Sequence, residues 1–378
     1  MTKIKTRSPY FLHFSGSLLT SVNLDIYIYT GDVSSVPVSP TYTLSSTAIN
    51  EEVTFEIAEL VKGYTEDNFN GDYSSENSWV RYVSTRIVDN VPQSADSAVT
   101  LTSYEGYGYF EDGANPQINK TVLLSNDIII ANDKSFITFP VTLESGDTAT
   151  INFYKDGEAT FTETKSYISD SSDIIQYSTN SVGSLKMFES LVALDGGVME
   201  AAECVEETYD DYYEDVDVDY IEVVTTGSGD PSRETFTVKE IEECKYDTYK
   251  LTFKNKYGAW QDLWFFKRSD LSLKTESSEY MSNLVSNGSY DTFRHQYTVH
   301  NKNGLETLKM SSGYYPESYN EVFRQLSLSE QVYIEYKDQT LPVNLKGEGF
   351  TFKQQINDKL INYNITVDFA FNKINNIR

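Results

Sequence analysis

The residue types that could do chemistry are few, and their spacing suits no common reaction. There are three histidines, His13, His295 and His300. Only the last two are near each other, and five residues apart on a strand places them on opposite faces, so no zinc site is expected. The two cysteines, Cys204 and Cys244, cannot build a disulfide framework. A reducing place of synthesis makes two free thiols the expectation, with their pairing left open. No GxSxG elbow, phosphate-binding GxxxxGK loop, HExxH helix or CxxC pair occurs. Carboxylates are so abundant, at 57 Asp and Glu, that some pair at glycosidase spacing would arise in any fold and identifies nothing. The chain therefore reads as a non-enzyme that needs no cofactor.

One acidic run has the right atoms for a cation. Asp210, Asp211, Glu214, Asp215, Asp217 and Asp219 could offer hard oxygens to Ca²⁺, with Asp215, Asp217 and Asp219 the candidate ligands. The run lacks the glycine of an EF-hand loop, and blocks of like charge usually stay solvated, so a solvated loop is the expectation. Aromatic residues are the other group of interest, with 29 Tyr, 20 Phe and three Trp. Tyr257, Trp260, Trp264, Phe369 and Phe371 are candidate interface residues, because aromatic faces combine apolar area with a polar tip. Trp79 belongs with them by type. Trp260 and Trp264 share one face of a strand, so an inward-packed stripe is the competing reading.

The elements that must position these residues are strands. Leu24, Ile26 and Ile28 alternate with Asp25, Tyr27 and Tyr29, and Tyr363, Ile365, Val367, Phe369 and Phe371 alternate with polar neighbours near the carboxyl end. Further strands are expected around 97–103, 122–131, 135–143, 148–154, 173–178, 220–225, 248–254 and 290–300. Asp156-Gly157 reads as a hairpin turn between two of the runs. Helix is expected only near 318–326, capped by Ser318 with Glu321 three residues on, and as a short turn after Phe55 that Gly63 ends. Many short strands point to an all-β chain of two sandwich- or barrel-like domains. These are expected at 1–190 and 220–378, joined by an acidic, Tyr-rich segment at 191–219.

Charge bounds the partners. With 57 acidic and 30 basic residues the formal net charge is −27, which repels nucleic acid and anionic membrane surfaces. No apolar run of signal-peptide or membrane-spanning length is present, so neither export by signal peptide nor membrane insertion is expected.

Several stretches are similar as a set to virion proteins of tailed bacteriophages: RSPYFLHF with LDIYIYTGD and VTFEIAELVKGY, then EGYGYFEDGANP, then KYDTYKLTFKNKYGAWQDLWFFKRSD with the ending LINYNITVDFAFNKINNIR. The resemblance implies a homo-oligomeric ring or adaptor subunit, like distal-tail or tail-hub proteins, that meets itself and other virion structural proteins. It carries over no functional residue. Strands at both termini could add to a neighbour's sheet. The alternatives are a tail adhesin binding host surface glycans through Tyr and Trp, and a capsid decoration or head-fibre protein.

Overall fold

The computed structural model describes residues 2–29, 36–65, 68–71, 73, 80–89, 99–131, 137–143, 148–166, 173–179, 218–226, 232–241, 245–347 and 360–375. The fold is all-β, with several sheets and little helix. The described chain divides into two compact units. One comprises 1–242, 253–262 and 321–329, and the other 243–252, 263–320 and 330–378.

In the first unit the alternating strand Ser21–Tyr29 pairs antiparallel with Tyr42–Thr47 and Val80–Asp89. The sheet continues through Val99–Tyr104 to Thr2–Lys5, whose last pairing is parallel. Val22, Leu24 and Ile26 point into a core completed by Phe55, Ile57 and Val61 from the antiparallel strand pair Phe11–Ser15 and Glu52–Glu56 and the short helix Ala58–Lys62 that follows. Tyr27 and Tyr29, expected on the outer face, are buried as well and form a small cluster of their own.

A second five-stranded sheet runs Glu158–Ser166, Thr148–Lys155, Tyr220–Thr226, Ser232–Glu240, Ile128–Ala131. Its first hairpin turns at Asp156 and Gly157, with φ of 52° and 85°, the left-handed pair that a two-residue hairpin turn demands. Tyr220–Thr226 lies in register against Thr148–Lys155, Asn152 facing Glu222, and Ala149, Ile151, Phe153, Ile221, Val223 and Phe236 share one core. Strands from both sides of the expected 191–219 connection thus belong to one sheet. The first unit runs on to residue 242. Cys204, Cys244, Trp79, the acidic residues from Asp210 to Asp217 and the expected boundary at 190 lie outside the described residues.

A seven-stranded sheet runs in the order Trp260–Phe265, Tyr249–Lys254, Val332–Tyr336, Gln339–Leu345, Asn364–Phe369, Tyr297–Ser311, Ser269–Met281, its last five strands belonging to the second unit. Ile365, Val367 and Phe369 are buried as their alternation requires. Asn364–Phe369 is an internal strand, hydrogen-bonded on both edges, so it has no edge to offer a neighbour. Helix formation after Pro316 starts one step differently from expectation. A 3₁₀ turn, Glu317–Tyr319, precedes the helix Asn320–Leu328, and Ser318 sits inside that turn rather than capping it. The strand expected from 290 begins at Tyr297 and continues to Ser311.

Candidate functional site

The densest polar network lies in the first unit, on the Asn-Lys-Tyr-Gly turn of the sequence NKYGAW. Asn255 holds that turn from within. Its side-chain amide donates to the Leu123 carbonyl (2.7 Å) and to Gln261 Oε1 (3.0 Å), while its Oδ1 accepts the backbone N–H of Tyr257 (2.9 Å) and of Ala259 (3.2 Å). One residue earlier, the Lys254 ammonium contacts the Glu105 carboxylate, their side chains only 2% and 4% exposed. The same ammonium lies 4.9 Å from the centre of the Trp260 ring. Gly106 allows the backbone beside Glu105 to come this close, because a Cβ there would sit 2.7 Å from the Lys256 carbonyl oxygen.

Around the turn, cations stack on tyrosines. Arg7 lies 4.9 Å from the Tyr107 ring, and Lys256 lies 5.2 Å from Tyr109 and 5.3 Å from Tyr257. Tyr109 donates its hydroxyl to Glu321 Oε1 at 2.7 Å, and Gln325 Nε2 donates to the same oxygen at 2.8 Å. Burial pushes the Tyr107 and Tyr257 hydroxyls up to about 12. Burial, followed by the Glu321 hydrogen bond, raises Tyr109 as well. Burial also lowers Lys5 to about 8, with Asp112 opposing the shift and Lys256 adding to it. Tyrosines held protonated cannot serve as nucleophiles or bases at neutral pH. The chemistry of this network is that of a clamp: Asn255, Lys254, Tyr109 and Gln325 each engage neighbours of the same chain.

The expected ligands fare differently. Asp219, the one described member of the proposed cation set, accepts the backbone N–H of Asp156 at 2.7 Å and lies 3.7 Å from Lys155 Nζ. It braces the adjacent hairpin turn. Among the described residues no group of three or more His, Cys, Asp or Glu is placed to hold a metal ion, and no helix is long and apolar enough to cross a membrane. His13 Nδ1 pairs with Thr54 Oγ1 at 3.0 Å, and His300 packs its ring edge-on to Tyr280 at 5.5 Å.

The aromatic candidates need correction. Tyr257, Trp260, Trp264 and Phe369 are buried within the chain, and only Phe371, just past the end of its strand, is exposed. Trp260–Phe265 is covered on both faces, which turns its aromatics into core.

The open surface lies elsewhere, on the antiparallel ribbon of Ser269–Met281 and Tyr297–Ser311. Among the described residues, only Thr307–Ser311 of its length bonds to a third strand, Asn364–Phe369. The tail of the chain adds Lys373 N–H to the Gly304 carbonyl (2.7 Å) and Ile374 N–H to Asn303 Oδ1 (3.1 Å). Farther out the ribbon has no other strand beside it among the described residues, and every residue from Leu271 to Met281 is exposed. Leu271 faces Leu308 in the ladder, so the apolar face that buries Leu308 and Met310 runs outward, uncovered, onto Leu271 and Leu273. Past the irregularity at Glu276/Ser278, Met281 and Tyr297 pair directly and share a face with Val299, while Tyr280 is on the other face with His300.

The tip closes on a second tight turn. Ser286 and Ser289 exchange both backbone hydrogen bonds, at 2.9 and 3.1 Å, around Asn287 and Gly288 with φ of 52° and 76°. Beyond the turn, Tyr290 is 64% and Phe293 78% exposed. The ribbon's charges are held locally: Arg268 with Asp270 (2.9 Å), Lys274 with Glu276 (2.9 Å) and Arg294 with Asp291 (3.4 Å). The sequence carried one signal for it, Asn-Gly at the centre of the segment. Searches against protein-family models and against curated proteins find no match to this chain.

Proposed function

We propose that this chain is a structural subunit of a tailed-bacteriophage virion, forming a homo-oligomeric ring or adaptor in the tail, tail hub or head-to-tail connection. The observation that carries the reading is the ribbon: a long two-stranded projection with apolar and aromatic side chains exposed on both faces. Isolated two-stranded hairpins are marginal in water, and exposed apolar patches beyond a few hundred Å² mark interaction sites. Such an element suits a protein whose task is to be embedded in an assembly, alongside further copies and other virion structural proteins. The segment resemblance supplies the choice of assembly.

Mass spectrometry and cryo-electron microscopy of purified particles test the proposal. Stoichiometric presence in the particle as a ring is expected, and absence from particles would sink it. Tyr290 and Phe293 at the ribbon tip favour one second reading, a host-glycan adhesin in which the rings stack on sugars. Saturable binding on a glycan array, lost in Tyr290→Ser/Phe293→Ser, would support that reading instead.

A further inference from the structure

We infer that the ribbon is the clasp between protomers, inserting into a second copy of this chain; the inference rests on the assembly reading above and names its contact. Three observations carry it.

The first is two-sidedness. A surface that merely rests against a partner needs one apolar face, but here Met281, Tyr297 and Val299 occupy one side of the outer ribbon and Tyr280 the other. The outer edge of Ser269–Met281, at the end of the sheet, also has no strand beside it among the described residues. Covering both faces and an edge at once takes a site that surrounds the ribbon, as strand-adding interfaces do.

The second is area. Leu271, Leu273, Tyr280, Met281, Tyr297 and the three tip residues Val285, Tyr290 and Phe293 are each at least half exposed. At roughly 100 Å² apiece, about half of what a large side chain buries, they present about 800 Å² of mostly apolar surface, the share one partner contributes to a stable interface.

The third is charge, which chooses the occupant. From Arg268 to Ser311 the cations Arg268, Lys274, Arg294, Lys302 and Lys309 match the carboxylates Asp270, Glu276, Glu279, Asp291 and Glu306 one for one, so the segment is neutral in a chain of net charge −27. An acidic ribbon would be repelled by another copy, and a basic one would bind any anion. A neutral one, with three of its cations paired to carboxylates of the same segment, can enter the acidic body of an identical chain and gain its binding from apolar burial. A ribbon seated anywhere but on its own counterpart makes a heterologous contact, the kind that closes into rings.

The test uses the full chain in a concentration series by sedimentation velocity and native mass spectrometry. Wild type is expected to self-associate. Met281→Asp/Tyr297→Asp should weaken association by about 100-fold or more, as truncating a central aromatic anchor does, while Tyr297→Phe should not. These side chains are exposed, so urea midpoints should match wild type. A photo-crosslinking residue at position 293, activated in purified particles, should yield a covalent pair of this chain. Three results would each overturn the inference: a wild type that stays monomeric at all concentrations, a double variant that associates as tightly as wild type, or a crosslink to a different virion protein. If the chain is present in particles and the double variant still assembles, the clasp fails and the virion role stands. If the chain is absent from particles yet clasps itself, the clasp stands and the virion role fails.

Discussion

At residue scale the most consequential pair is Lys254 and Glu105. Both lie away from water, and the cost of burying each charge is offset only while the other is present. Lys254→Met is therefore expected to lower unfolding free energy by about 3–5 kcal/mol, and Lys254→Met/Glu105→Leu to recover most of that loss in the same urea titration. Lys5 gives a pH prediction. Its folded form sheds its proton near 8, whereas the unfolded lysine keeps it to about 10.4. Between those values the unfolded state binds more protons, so rising pH favours the folded state through this residue. The stability of wild type relative to Lys5→Met should rise from pH 8 to pH 10.5, measured by urea unfolding; a flat difference would refute it. None of this network was legible in the sequence. Asn255, Gln261, Glu105 and Gln325 meet from distant stretches, and a lysine buried at position 254 has no local signature. For Trp260 and Trp264 the spacing already offered the inward packing that the structure shows, but the burial of Tyr257 depends on which strands flank its turn, and spacing does not carry that.

At element scale the turn at Asp156-Gly157 and the terminal strand could be read directly, because Asp-Gly and strict alternation act through local sterics and one-sided burial, whereas the Asn287-Gly288 turn was not read. The ribbon could not be read so easily. A strand exposed on both faces has no solvent side to distinguish, and Leu271-Ser272-Leu273 reads like any short core strand. Gly106 is a sharper test of element packing. Gly106→Ala places a methyl against backbone rather than a yielding side chain, so a loss of about 1–3 kcal/mol is expected, measured as a lowered urea midpoint. A change within error would show that the turn at 255–259 can retreat.

At the scale of the whole molecule, net charge opposes assembly. Copies at −27 repel one another, and a neutral apolar clasp works against that field rather than with it. Added salt screens the repulsion and leaves apolar burial intact. Self-association should tighten as NaCl rises from low to physiological strength, the reverse of a contact built on ion pairs; weakening with salt in sedimentation experiments would point to charge pairing instead. The acidity that sets this behaviour was plain in the composition, but the division of the chain was not. The first unit is assembled from three separate stretches, and Arg7 donates to the Leu328 carbonyl across 321 residues of sequence. That discontinuity sets an order of events during synthesis. The amino-terminal unit cannot close until the ribosome has released the helix Asn320–Leu328, and contacts of such long range make closure slow. By then the ribbon, whose strands are neighbours in sequence, has already emerged. The nascent chain thus exposes its stickiest element before its body is finished, which makes crowding on a polysome the moment of greatest aggregation risk.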